Sequence, residues 1–88
     1  MEAIPEGWKR LSVEEQYEVL AAALEAMAEA DPDLAWTFIQ LEYHDRMVTE
    51  IAVDLGITPG AVTKRRQRAM REMQGLVRKA TSEKLKTG

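Results

Sequence analysis

Cysteine is absent from this 88-residue chain, and His44 is its only histidine. Without cysteine there is no disulfide framework, no thiol nucleophile and no cysteine-based zinc site. His44-Asp45 falls in an expected link between helices with no serine or cysteine nucleophile nearby, so it reads as a surface or capping histidine. No catalytic residue, metal ligand or cofactor is assigned, and an enzyme is not expected. No apolar run is long enough to cross a bilayer, and Met1 to Lys9 has no signal-peptide core, so the expectation is a soluble cytoplasmic protein with no membrane partner. Alternating β-branched runs and hairpin turns are also missing, which removes any strand signal. Internal repeats and low-complexity segments are absent too.

The chain does have a hydrophobic content of 45%, enough for one small domain with a core too small to enclose a large cofactor. Its net charge of −3 conceals a division along the sequence. Residues 1–50 carry 3 Lys/Arg against 12 Asp/Glu, a net of −9, whereas residues 51–88 carry 9 against 3, a net of +6. Such asymmetry points to nucleic acid on the basic side. The acidic half must then face away from DNA or meet a basic partner.

Periodicity and capping residues predict an all-α, four-helix domain over residues 12–80, after an N-terminal arm of residues 1–11 and before a frayed polar tail of residues 81–88. Ser12-Val13-Glu14-Glu15 is a capping box, followed by Val13, Tyr17, Leu20, Leu24 and Met27 at helical spacing to about Ala28. The opposite side of this first helix carries Glu14, Glu18, Glu25 and Glu29, a solvated acidic face or one suited to a basic partner. Its i, i+4 and i, i+7 spacing, without histidine or convergent loops, makes a poor metal site. Asp31 and Pro32 cap and start a second helix that runs to about Tyr43. In it Leu34, Phe38 and Leu41 share one face, and Trp36, Ile39 and Tyr43 share another. That second face is either buried in a small bundle or is a partner-binding patch. Trp8 carries the same ambiguity, with a lid over the bundle the more economical reading.

The third helix is expected near Val48 to Leu55 and the fourth from Pro59 to Lys79 or beyond, giving a helix-turn-helix over residues 48–79. Ile51, Ala52 and Leu55 form its first apolar face, and Ala52 is small enough to admit a close neighbour. Gly56 suits the positive φ just beyond a helix end. Ile57 plugs the corner, while Thr58 and Pro59 are an N-cap and a first helical residue. On the fourth helix Val62, Ala69, Met73 and Leu76 gather on one side, to pack on helices two and three. Lys64, Gln67, Arg68 and Arg71 gather on the other, supplying the donors that phosphate contacts and guanine recognition use. Arg66 is the exception, projecting into the apolar arc near Met73 and Val77. It calls for a carboxylate from the acidic half, or marks a partner surface.

From Leu20 to about Met73 the chain resembles region 4 of bacterial sigma-70-type factors, most closely the extracytoplasmic-function and related short ones. The resemblance rests on Leu24-x-x-Met27, Ala30-Asp31-Pro32-Asp33-Leu34-Ala35, Phe38-x-x-Leu41-Glu42, Glu50-Ile51-Ala52, Leu55-Gly56-Ile57-Thr58, Pro59-Gly60-Ala61-Val62, Arg65 and Arg68-Ala69. It implies a recognition helix over residues 59–79 in the major groove of double-stranded DNA and a body packed on the flap of the RNA polymerase β subunit. The cell would be bacterial or phage-infected. Gly60, Ala61, Thr63, Lys64 and Arg68 would lie nearest the bases, with Arg65 and Arg71 nearer the backbone or the helix packing. Ala61 and Thr63 stand where the family more often has Thr and Lys, and Met47 where it often has Ser. Eighty-eight residues leave no room for region 2, so the resemblance implies a fragment or a transcriptional regulator tethered to polymerase or paired as a homodimer. Two alternatives remain: a protein-interaction module for polymerase or another regulator, and a phage small-terminase-like DNA recogniser.

Overall fold

A computed structural model describes residues 7–87; residues 1–6 of the expected arm and Gly88 lie outside the described residues. A 3-10 turn at Trp8–Arg10 leads into α1 (Val13–Ala30), α2 (Pro32–Glu42), α3 (Val48–Leu55) and α4 (Pro59–Thr87). The fold is all-α, with no strand among the described residues.

Each boundary has a local cause. Ser12 Oγ accepts from the Glu15 amide at 3.1 Å, while Glu15 Oε1 accepts from the Ser12 amide at 2.8 Å, so the expected capping box forms. Asp31 both ends α1 and caps α2, its Oδ1 accepting from the Leu34 amide at 3.1 Å, with Pro32 in the first turn. Gly56 closes α3 at φ 69°, and the Ile57 amide donates to Ala52 O at 3.0 Å, the six-to-one bond of a left-handed helix end. Thr58 Oγ1 then accepts from the Ala61 amide at 3.1 Å to start α4.

Two apolar clusters hold the helices together. One joins Ala23 and Met27 of α1, Leu34, Ala35 and Phe38 of α2, and Ala69 and Met73 of α4. The other, smaller, joins Ile51 and Ala52 of α3 to Val62 of α4, with Leu41, Val48, Leu55 and Ile57 around it. Methionines 27 and 73 suit such irregular spaces because their unbranched side chains adapt.

Two expectations are corrected. The buried line of α1 is Val19, Ala23 and Met27 at i, i+4 and i+8; of the expected stripe Met27 is buried and Leu24 packs on the core, but Val13 and Tyr17 are 65% and 69% exposed. Helical periodicity could not choose between them, because the two lines are both apolar and about a quarter-turn apart. Residues 81–87 are not a frayed tail either: α4 continues to Thr87, and Thr81 is 1% exposed. The most extensive helix pair is α1 with α4, which the expected packing of α4 on α2 and α3 alone had left out. An ion pair between Lys84 and Glu18 reinforces it. A helix of 29 residues is about 43 Å long, matching the 44 Å long dimension of the molecule, so α4 spans it end to end.

Candidate nucleic-acid interface

The Gly56 turn delivers the first three to four turns of α4 to the surface. Gly60, Thr63, Lys64, Gln67, Arg68 and Arg71 are exposed, and Ala61 and Arg65 are half-buried. Opposite them, Val62 and Ala69 are fully buried, so the helix cannot rotate its cations inward without emptying both cores.

These residues are not equivalent once their partners are considered. Arg68 Nη2 lies 3.2 Å from Asp31 Oδ2, and its Nε 3.4 Å from Glu72 Oε2. It is thus tied to the α1–α2 corner. Arg65 lines the same concavity as Arg68, beside Asp31, Asp33 and Leu34, where the potential is mixed in sign. Thr63 Oγ1 donates to Pro59 O at 3.2 Å, spending its proton inside the helix. Gln67, Arg71 and Thr63 line a second concavity with Arg66 and Met70. Lys64 and Arg71 make no ion pair among the described residues, which leaves them the cations most open to an external anion.

Arg66 finds the carboxylate its position calls for: its Nε donates to Glu42 Oε2 at 3.0 Å, linking α4 to the end of α2. Arg46 does the same between the α2–α3 link and α3, with Nη2 2.7 Å from Asp54 Oδ2. Positive charge in the second half of the chain is therefore partly spent on the protein's own carboxylates. What remains outward is concentrated on one side of α4.

That stripe extends further than residue 71. Arg78 follows Lys64 and Arg71 at seven-residue spacing, drifting only about 20° per heptad, and it is exposed. The period was legible in the sequence, and the expected helix already reached Arg78, but the expected stripe stopped at Arg71.

On α2, Trp36 and Tyr43 are exposed and Ile39 is half-buried, so the face is not sealed inside the bundle. The Tyr43 ring sits 6.2 Å from that of Phe38, tilted by 54°, which anchors its inner edge on the core. Trp8 is half-buried, with its carbonyl accepting from Gln16 Nε2 at 3.0 Å. His44 is exposed in the α2–α3 link, and no group of three or more His, Cys, Asp or Glu suited to a metal occurs among the described residues. No described helix is long and apolar enough to cross a membrane. No protein-family model, curated protein or solved structure matches this chain.

Proposed function

We propose that the chain is a DNA-binding transcription protein of the sigma region 4 type, with α3 and α4 as a helix-turn-helix and the exposed side of α4 in the major groove. The observation that carries this reading is the pair Lys64 and Arg71, exposed and without carboxylate partners among the described residues, on a helix whose other side is locked into the core. Cations at i and i+7 on one face, about 10.5 Å apart along the axis, suit two separate phosphates beside a groove, which leaves Gln67 between them for a base edge. Arg68 contributes after exchanging Asp31 for phosphate.

A single module of this size reads few base pairs, so a tether or a second copy completes the function. The exposed aromatic face at Trp36, Ile39 and Tyr43 supports such a contact, with RNA polymerase or a regulatory protein as the partner. The test is duplex binding over a series of salt concentrations. Lys64→Gln with Arg71→Gln is expected to lower the slope of log K against log salt by about 1.8, two phosphate contacts at about 0.9 each. Unchanged duplex affinity in that variant would overturn the reading.

A further inference from the structure

We propose that Arg10, Arg78 and Ser82 form a second phosphodiester-binding site, on the same side of α4 as Lys64 and Arg71, which grips the DNA backbone beside the segment read by the start of the helix. This inference rests on the DNA-binding reading above and adds to it a contact from outside the helix-turn-helix.

The three residues come together through tertiary structure, since Arg10 is far from the other two in sequence. They line one pocket with Gly7 and Leu85. Arg78 and Ser82 are one helical turn apart on α4 and therefore neighbours on its surface. Arg10 is brought to them by the 3-10 turn, which is held at several points. Its amide donates to Gly7 O at 3.0 Å, the Leu11 amide donates to Trp8 O at 3.1 Å, and Leu11 is 7% exposed. Gly7 adopts φ 92°, which turns the chain close against Leu85 and Thr81 of α4. The backbone carrying Arg10 is thus pinned to the helix while its guanidinium remains exposed.

Neither Arg10 nor Arg78 has a carboxylate within ion-pair distance among the described residues, although the chain has more acidic than basic residues. The nearest structural pairing on this end of α4, Lys84 with Glu18, lies about a third of a turn around the helix from Arg78. Two guanidiniums without ion pairs among the described residues and a hydroxyl donor around one concavity suit a phosphate group, which accepts from several donors at once. From Lys64 to Arg78 is 14 residues, about 21 Å along the axis. That is about six base pairs of duplex at 3.4 Å each, so both sites fit within one turn of the same DNA.

The experiment uses the full chain and duplexes of about 20 base pairs in two unrelated sequences, titrated over a range of salt concentrations. Arg10→Gln with Arg78→Gln is expected to lower the salt slope by about 1.8 for both duplexes and to leave their relative affinity unchanged. Arg10→Lys with Arg78→Lys keeps the charges and is expected to restore the slope. A slope equal to wild type in the glutamine variant, with wild-type binding intact, would overturn the second site and leave the DNA reading standing. If wild type shows no salt-dependent duplex binding, both fail. Loss of binding to poly-L-glutamate or of self-association in the glutamine variant, with its DNA slope unchanged, would make the pair a carboxylate site and overturn the proposal. A lysine variant as weak as the glutamine one would also overturn it, by pointing to packing rather than charge.

Discussion

Asp31 holds Arg68 at 3.2 Å through Oδ2 while capping α2 through Oδ1, so one carboxylate serves both the fold and the restraint of a cation on the exposed side of α4. Phosphate and Asp31 compete for the same guanidinium. Asp31→Asn keeps the capping oxygen and removes the charge, because Asn is as good an N-cap as Asp. The expected outcome is tighter duplex binding with a steeper salt slope, by about 0.9 for one additional phosphate contact. Stability should fall by less than about 1 kcal/mol, the usual worth of an exposed pair. Weaker DNA binding in Asp31→Asn would show that the pairing positions Arg68 rather than restraining it.

Two glycines should respond to alanine in opposite directions. Gly56 sits at φ 69° with nothing within 4 Å of an added Cβ, so Gly56→Ala meets no clash and still costs about 1–2 kcal/mol through its left-handed backbone. Gly75 lies inside α4, also with open space around it, and Gly75→Ala should stabilise the helix by about 0.5–1 kcal/mol. Thermal melts separate the two, at about 4–8 °C per kcal/mol for a domain of this size.

Thr81 is buried, and its Oγ1 has no hydrogen-bond partner among the described residues. Thr81→Val removes an unsatisfied hydroxyl without changing shape, and the melting temperature is expected to rise, by about 1 kcal/mol of stability. A loss of stability instead would mean that the hydroxyl has a partner in solution.

The Lys84 ammonium is held above the ordinary lysine value by its hydrogen bond and charge attraction to Glu18. A raised folded-state value means the ion pair favours the folded state at neutral pH and ceases to do so as pH climbs through that value. The difference in melting temperature between wild type and Lys84→Met should therefore be present at pH 7 and shrink in the strongly alkaline range. A difference independent of pH would assign the effect to the packing of the lysine stem on α1.

The helix starts, and the stops at Asp31 and Gly56, were readable because they are local. Ser12 with Glu15, Asp31 with Pro32, and Thr58 with Pro59 satisfy or remove orphan amides within four residues, so their outcome does not depend on the rest of the fold. Arg66 was expected to project into the apolar arc and pair with a carboxylate of the acidic half; it is exposed instead, and only the structure identifies Glu42 as its partner. The buried line of α1 was not readable. Val13, Tyr17, Leu20 and Leu24 satisfy a helical period as well as Val19, Ala23 and Met27 do, and the choice belongs to the surface that α4 presents.

Local sequence sufficed for the four helices, the Gly56 turn between α3 and α4, and the concentration of cations in the second half, because propensity, capping and charge act between near neighbours. Tertiary structure alone decided that α4 continues through Thr81 to Thr87, that Arg68 answers to Asp31, and that Arg10 joins Arg78 and Ser82. Each of those depends on residues distant in sequence being brought into contact by the packing of α1 and the N-terminal turn on α4, a geometry that no local pattern encodes.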